Sequence, residues 1–234
     1  MTRARETGYT SNEDDNVVRV FLVRHGQTDH NVKKILQGHR DIPLNVDGVK
    51  QSHSLGEYLQ SRGVHFDRVY SSDLTRCRET TAELLLPVDD APAPPVKYDA
   101  RLRERDMGVI EGMHLAEAER YAAKHGGGSF RDFGEPADQF MARLRAGLEA
   151  AVKDASAHGC KNVAVVSHGG AIRGLLKWLV QGAGGGDLQQ VIVFNTSVTV
   201  VDYTKHDGQY TVRTVGNTAH LGDGEFVVSD LKLR

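Results

Sequence analysis

Two arginines and two histidines stand where strands of the chain are predicted to end. Arg24 and His25 follow the apolar run "VVRVFLV", and His168 follows "NVAVVS". Arg76 lies early in a predicted helix that comes directly after the strand-like segment "FDRVYSS". In open α/β sheets the carboxyl ends of strands meet at one crevice, where helix N-termini and backbone N–H groups favour anions. The sequence therefore predicts an anion-binding crevice lined by these four side chains.

These residue types indicate chemistry on a phosphoryl group. The planar arginine fork matches phosphate geometry and stays charged at any usable pH. A neutral imidazole whose other nitrogen bonds to a backbone carbonyl presents a lone pair as a nucleophile, whereas a protonated imidazole donates to a phosphate oxygen. Phosphoryl transfer depends mainly on positioning and charge stabilisation. Two arginines and a protonated histidine would supply both, so we predict no metal and no cofactor.

Alternating strands and helices position these residues. Strands are predicted at 17–23, 66–72, 96–98, 162–170, near 190–203 and at 209–216, and helices at about 45–63, 73–86, 115–125, 136–157 and 171–180. Asp73 is the expected N-cap of the helix that carries Arg76. This alternation predicts a three-layer α/β/α sandwich with a mostly parallel central sheet and one antiparallel strand.

Composition excludes several classes of partner. The 234 residues are 39% hydrophobic, which is enough for one full core. With 29 Lys and Arg against 31 Asp and Glu, the net charge of -2 gives no basic field for nucleic acid or an anionic membrane. Cys77 and Cys160 form neither a disulfide framework nor a metal-ligand spacing. We therefore expect reduced thiols and a cytoplasmic location, with the nucleus also compatible.

The chain is expected to form one domain preceded by a tail. Residues 1–16 are polar, and they lack the apolar stretch of a signal peptide. No later segment is apolar over a length that would span a bilayer. We predict a disordered tail at 1–16 and a single domain at 17–234.

Four segments carry a resemblance to a known family. They are, in order, "RHGQTDHN", "SSDLTRCRET", "LRERDMGVIEG" and "VSHGG". Together they resemble the signature segments of the histidine phosphatase superfamily, which includes the cofactor-dependent phosphoglycerate mutases and the fructose-2,6-bisphosphatases. One such segment is weak evidence, but four in order at strand ends or flanking loops are specific. The resemblance runs from about residue 17 to the last strand and implies a phosphoglycerate mutase-like fold.

The resemblance also implies roles for individual residues. His25 would be the nucleophile that takes up the phosphoryl group, and Glu104 would be the proton donor. The remaining positions that match the family's phosphate and substrate contacts are Arg24, Arg76, His168, Asn31 and Gly169.

Departures from the family pattern favour hydrolysis over isomerisation. The mutases carry a tyrosine three residues after the acid, a lysine beyond it and an arginine pair in a longer insertion, which together bind the substrate carboxylate. Here the first two positions are Met107 and Leu115, and the short segment before the next helix contains only Arg131. A short lid also excludes water poorly. The resemblance thus implies a metal-independent phosphatase that hydrolyses small phosphomonoesters, with mutase-type transfer and a non-catalytic phosphate-binding module as the alternatives.

The same residues also allow other interpretations. His25 with His30 and His39 would suggest a metal site, but no carboxylate or cysteine stands at ligand spacing. Glu111 is a second candidate acid, ranked below Glu104 because the family's acid directly precedes an arginine, as Glu104 precedes Arg105. The expected partner is a small phosphorylated metabolite, and the chain is expected to be a monomer or a homodimer. Arginines expected to be solvated or salt-bridged are Arg78, Arg101, Arg103 and Arg105.

Overall fold

A computed structural model describes residues 10–86, 92–181 and 193–222. Its strands are β1 Val17–Arg24, β2 Arg68–Ser71, β3 Val96–Tyr98, β4 Asn162–Ser167, β5 Val198–Thr204 and β6 Tyr210–Asn217. Its α-helices are α1 Asp29–Val32, α2 Val46–Ser61, α3 Thr75–Leu84, α4 Leu115–Lys124, α5 Ala137–Ala157 and α6 Gly169–Gln181.

The strands form one mixed sheet in the order β3-β2-β4-β1-β5-β6. β1 pairs in parallel with β4, and β2 pairs in parallel with both β3 and β4. β5 runs antiparallel to β1, and β6 runs antiparallel to β5. Within the described residues, β5 is thus the one strand that opposes the common direction. The predicted fold class is confirmed.

Helices cover both faces of the sheet because strand side chains alternate between them. In β1, Val20 and Leu22 pack on one side in a core shared with α5 and α6. Phe21 and Val23 pack on the other side against α2 and α3. All four side chains are at most 1% exposed. This double burial explains why the run reads as almost continuously apolar.

A smaller apolar cluster, here called the cap cluster, lies apart from these two cores. Its buried members are Ile110, Ala118 and Phe130. The half-buried side chains packed against it are Leu36, Met107, Met113, Leu115, Tyr121 and Phe133. The cap cluster thus joins α4 to the loop that follows Glu104.

The start of α3 differs from the prediction. Asp73 does not cap this helix; its carboxylate instead pairs with Arg103 at 2.6 Å. The first turn is capped by Asp41, whose two carboxylate oxygens accept from the backbone N–H of Thr75 at 2.6 Å and from its hydroxyl at 2.8 Å. The cap comes from a separate loop, which local sequence spacing does not reveal.

Two other boundaries also differ. β4 ends at Ser167 and α6 begins at Gly169, so the glycines predicted to end the strand form the first turn of the helix. β5 begins at Val198 rather than near residue 190, after a turn at 195–196. The predicted strand residues 190–192 lie outside the described residues.

The predicted tail is partly ordered. Asn12 is 7% exposed, and it exchanges two hydrogen bonds with the side chain of Asn162, of 2.7 and 3.0 Å. The prediction of disorder is therefore wrong for residues 10–16, while residues 1–9 lie outside the described residues. Among the helices described, none combines the length and apolarity needed to cross a membrane.

Candidate active site

The carboxyl ends of three neighbouring strands bring the predicted residues together. β2, β4 and β1 are adjacent in the sheet, so the positions that follow them share one edge. The rings of His25 and His168 lie 5.2 Å apart between centroids. The backbone N–H of His25 donates to the carbonyl of Ser167 at 2.9 Å, which ties the two strand ends together. The structure thus brings the predicted histidines together at this edge.

His25 is held in one tautomer by its own turn. Its Nδ1 lies 2.7 Å from the carbonyl oxygen of Gly26, and a carbonyl only accepts, so Nδ1 carries the proton. Nε2 is therefore left with the lone pair. The side chain is 4% exposed. Burial, and then the charges of Arg76 and Arg24, hold the pKa of His25 well below its ordinary value. The ring is thus a neutral base with one directed lone pair.

Arg76 is among the largest fully buried side chains, at 1% exposure. Its Nη1 and Nη2 donate to the carbonyls of Arg40 and Gly38, both at 2.8 Å. Its Nε donates to Nδ1 of His168 at 3.2 Å. These bonds fix the guanidinium against the loop that precedes α2 and orient the second histidine.

His168 differs from the sequence expectation of a protonated donor. Its Nδ1 accepts from Arg76, so the ring proton resides on Nε2, which donates to the hydroxyl of Ser72 at 2.9 Å. Burial first, and then Arg76, His25 and Arg24, keep the pKa of His168 well below its ordinary value. The neighbouring Cys77 thiol is fully buried, and burial raises its pKa to about 12. The pocket therefore holds two neutral imidazoles and a protonated thiol beside two guanidinium groups.

We expect both ring nitrogens of His25 and His168 to keep their neutral chemical shifts between pH 8 and pH 5.5, because buried imidazoles beside two guanidinium groups resist protonation. Nitrogen-15 NMR of the imidazoles would measure this, with His25→Gln and His168→Gln used for assignment. A blocked histidine model compound measured in the same buffers supplies the control for a fully solvated imidazole. Titration of His25 together with this model compound would contradict the neutral pocket.

Arg24 and Gly169 lie next to each other at the same edge of the sheet. Arg24 is 8% exposed, and its Nη1 donates to the carbonyl of Val193 at 2.6 Å. A Cβ placed on Gly169 would lie 3.2 Å from Arg24 Nε, closer than an ordinary contact. Gly169 therefore allows the N-terminus of α6 to approach the guanidinium closely.

Asn31 lies at the same edge, in the capping box of the short helix α1. Its side-chain oxygen accepts from the backbone N–H of Thr28 at 3.0 Å and from Asn195 Nδ2 at 3.2 Å. Because the oxygen is engaged, the amide nitrogen is the atom that can donate to an anion. Asn195 also donates to the carbonyl of His25 at 2.9 Å.

Glu104 is held by four hydrogen bonds. Its carboxylate oxygens accept from the backbone N–H groups of Arg105 at 2.9 Å and Gly170 at 2.8 Å. Its carbonyl accepts from Nε2 of His39 at 2.8 Å and Nη2 of Arg143 at 3.1 Å. A Cβ on Gly170 would collide with the Glu104 carboxylate, so only glycine allows this contact. The Glu104 carboxylate is also near enough to Arg76 to favour the charged form of the Arg76 guanidinium.

The competing candidates have structural contacts. Glu111 Oε1 accepts from the backbone N–H groups of His39 at 2.7 Å and Met107 at 3.1 Å, so this carboxylate links two loops. In the described part of the chain, no three His, Cys, Asp or Glu side chains are grouped to hold a metal ion. The Arg131 guanidinium packs over the ring of Phe130 at 4.5 Å.

Of the four arginines predicted to be solvated or salt-bridged, Arg105 differs, because its half-buried guanidinium donates to the carbonyls of Arg131 at 2.8 Å and Phe133 at 2.9 Å. Arg101 pairs with Asp99 and Arg103 with Asp73, each at 2.6 Å. Arg78 lies over the ring of Tyr98 at 4.1 Å.

Sequence reasoning missed the residues that orient the predicted ones. Ser72 binds His168, and its position directly after β2 was a usable signal. Asn195, His39 and Arg143 contact the site from distant parts of the chain. No spacing rule connects them to it, so their role emerges only in the folded structure.

The fold and this grouping of histidines and arginines are those of an α/β protein whose buried cationic groups suit a phosphoryl group. The sequence profile of the histidine phosphatase superfamily, branch 1, matches residues 20–218. The chain belongs to this family.

Relatives and solved structures agree with this membership. A broad-specificity phosphatase of Saccharomyces cerevisiae is 59% identical over 226 residues, 97% of either chain. A probable phosphatase of Schizosaccharomyces pombe is 34% identical, covering 89% of this chain and 97% of the other. The crystal structure of a phosphoglycerate mutase from Bacillus anthracis matches with a TM-score of 0.75 at 28% identity, covering 93% of this chain and 99% of that one. The phosphatase class predicted from the sequence is confirmed.

Proposed function

We propose that this phosphatase hydrolyses small phosphomonoesters through a phosphohistidine on His25, with Glu104 as proton donor and without a metal ion. The observation that carries the proposal is the lone pair of His25 Nε2, presented in a buried pocket beside two guanidinium groups. Arg24, Arg76 and His168 line the phosphate pocket. Substrate contacts come from Asn31 and the backbone N–H of Gly169.

In the first half-reaction Nε2 of His25 attacks phosphorus while the bond from phosphorus to the ester oxygen breaks. The Glu104 carboxyl group gives its proton to the departing oxygen, so the products are an alcohol, phosphohistidine and the Glu104 carboxylate. Charge on the equatorial oxygens is stabilised by two guanidinium groups. One belongs to Arg24 at the end of β1, and the other belongs to Arg76 in the helix that follows β2.

In the second half-reaction water attacks the phosphorus of phosphohistidine. The Glu104 carboxylate takes the water proton, the nitrogen-phosphorus bond breaks, and its electron pair returns to Nε2. Inorganic phosphate leaves, and Glu104 is again protonated. His25 returns to its starting tautomer because Nδ1 stays bonded to the Gly26 carbonyl throughout.

The loops outside the pocket support hydrolysis over isomerisation. Met107 and Leu115, which stand where mutases place polar substrate contacts, pack against the cap cluster. Arg131 is occupied with Phe130. The yeast relative is named for broad specificity, and by that likeness we extend a range of phosphorylated metabolites to this chain. The cytoplasmic location and the monomeric or homodimeric state stay predictions.

Phosphate release tests the proposal. With EDTA present, the chain is expected to hydrolyse p-nitrophenyl phosphate and a panel of sugar, glycerate and nucleotide phosphates, because arginines provide the charge that a metal would otherwise supply. Loss of activity on chelation would revive a metal mechanism. Transfer of labelled phosphate into an isomeric phosphoglycerate without free phosphate would favour the mutase alternative, and binding without turnover would favour the binding module.

A further inference from the structure

We propose that Arg143, held in place by Glu135, is a positioning residue that sets the orientation of Glu104 and thereby the efficiency of leaving-group protonation. The inference rests on the proposed function of Glu104 as proton donor. It concerns a side chain that touches neither the nucleophile nor the phosphate-binding arginines in the described structure.

Arg143 projects from the second turn of α5 and binds the backbone of the loop that carries Glu104. Its Nη1 lies within 3.3 Å of the carbonyl oxygens of Ala100, Arg101 and Arg103. Its Nη2 donates to the carbonyl of Glu104 at 3.1 Å. One guanidinium thus binds four of the five backbone carbonyls from residue 100 to residue 104. The carbonyl of Leu102 is the exception.

Glu135 fixes the guanidinium from the other side. Its carboxylate oxygens accept from Nε of Arg143 at 2.8 Å and Nη2 at 2.7 Å, a bidentate pair. Burial alone would raise the pKa of Glu135, but the hydrogen bond and charge of Arg143 outweigh it and hold the pKa below its ordinary value. The side chains are only 20% and 15% exposed, so solvent screens the pair incompletely.

Glu135 also forms hydrogen bonds with the loop residues directly after Glu104. Its backbone N–H donates to the carbonyl of Asp106 at 2.8 Å, and its Oε2 accepts from the N–H of Asp106 at 3.3 Å. Its carbonyl accepts from Nη1 of Arg105 at 3.3 Å. The Glu135 and Arg143 pair therefore holds the chain on both sides of the acid.

This arrangement matters because a proton donor must stand within hydrogen-bond reach of the departing oxygen. The Glu104 carboxylate reaches Gly170 only while its loop stays against α6. A displacement of about 1 Å costs roughly 100-fold in rate for a misplaced catalytic group. Because Arg143 leaves the nucleophile and the phosphate arginines untouched, its removal should affect proton donation selectively.

The test compares Arg143→Met with Arg145→Met, both measured as kcat/KM on glycerol 2-phosphate and p-nitrophenyl phosphate. Methionine keeps an unbranched apolar stem but removes every donor. Arg145 is an exposed arginine on the same helix whose guanidinium lies over the Trp178 ring at 4.7 Å, so it matches the loss of charge. We expect Arg143→Met to lower kcat/KM on the alkyl ester by roughly 10- to 100-fold. On the activated aryl ester the loss should stay below about threefold, and Arg145→Met should change neither.

A double variant separates positioning from general destabilisation. In a Glu104→Gln background, Arg143→Met should cause no further loss on the alkyl ester, because both changes remove the same step. Equal losses on both esters, or full additivity with Glu104→Gln, would overturn the proposal. Urea unfolding midpoints of each variant ensure that the assays are made on folded protein.

Amide hydrogen exchange over residues 100–106 gives a readout that does not depend on turnover. Arg143→Met should speed exchange in this loop, and Arg145→Met should not; unchanged exchange would overturn the proposal. If the unmodified chain hydrolyses neither ester while exchange responds as expected, the proposed function fails. The stabilisation of the 100–106 loop by Arg143 is then still supported. If the unmodified chain is active and the two esters respond alike, the positioning role alone fails.

Discussion

Replacing His25 with alanine is expected to lower kcat for p-nitrophenyl phosphate by roughly 10⁴- to 10⁶-fold, the range seen when a nucleophile in a catalytic unit is lost. The remaining side chains would still bind phosphate, because hydrogen bonds to other parts of the chain hold Arg24, Arg76 and His168 in place without His25. No group in the pocket replaces the lone pair, since the Cys77 thiol stays protonated with a pKa of about 12. The effect should therefore fall on turnover far more than on phosphate binding.

Steady-state hydrolysis and trapping of the intermediate would measure this. Rapid acid-free quenching of the unmodified chain after mixing with labelled substrate should give protein-bound label that is stable in base and lost in acid, as phosphohistidine is. His25→Ala should give none. His65→Ala, at an exposed position between α2 and β2, is the matched control and should keep both label and activity.

A folded His25→Ala variant that retains turnover within tenfold of the unmodified chain would exclude His25 as the nucleophile. Because His25 is buried, the variant also leaves a cavity. His25→Asn, which is closer in volume and keeps a polar group near the Gly26 carbonyl, is the second variant. Both should lose the label, whatever their unfolding midpoints.

The positions of the candidate nucleophile and the candidate phosphate ligands could be predicted because they follow a rule of sheet topology. Arg24, His25 and His168 directly follow apolar strands, and Arg76 begins the helix after another. Parallel strands bring their carboxyl ends to one edge whatever the loops between them contain. The strand signals and the order of the segments were enough to group these four side chains, while their individual roles came from the resemblance to the family.

The contacts that orient these groups could not be predicted, because they join residues far apart in sequence. Asp41 caps α3 from 34 residues away, and Arg143 reaches Glu104 across 39. Local pattern favoured the adjacent Asp73 as the cap, yet Asp73 is drawn to Arg103 instead. Asn12 likewise looked like part of a polar tail until its partner Asn162 was known.

The protonation state of His168 illustrates a different limit. Its residue type allowed either a donor to phosphate or a neutral ring. The choice depends on burial and on which neighbour occupies each nitrogen, and here Arg76 occupies Nδ1 while Ser72 faces Nε2. Such a choice is set by three-dimensional packing, so the sequence left the wrong alternative in place.

Glu104→Gln is expected to lower kcat/KM for glycerol 2-phosphate by roughly 10²- to 10⁴-fold, the usual contribution of a positioned general acid. On p-nitrophenyl phosphate kcat/KM should change little, because this leaving group departs as a stable phenolate and needs no proton. The parameter kcat/KM is the right measure, since it covers the steps up to departure of the alcohol. It is therefore independent of the later hydrolysis of phosphohistidine.

The same variant should reveal the second role of Glu104. Without a carboxylate to activate water, the phosphoenzyme formed from p-nitrophenyl phosphate should accumulate, so a burst of p-nitrophenol should precede a slow steady state. Glutamine retains only one acceptor oxygen for the N–H groups of Arg105 and Gly170, at a stability cost of about 1 kcal/mol. That cost acts equally on both esters and cancels in their ratio.

Glu111→Gln is the matched control for this test. It changes the rival carboxylate, which accepts from His39 and Met107 and has no contact with Gly170. We expect Glu111→Gln to change kcat/KM for the two esters by the same factor, because Glu111 only holds two loops together. If kcat/KM fell selectively on the alkyl ester in Glu111→Gln and not in Glu104→Gln, Glu111 would be the proton donor. If the selective loss occurred only in Glu104→Gln, together with the burst, both proton transfers would be assigned to the Glu104 carboxyl group.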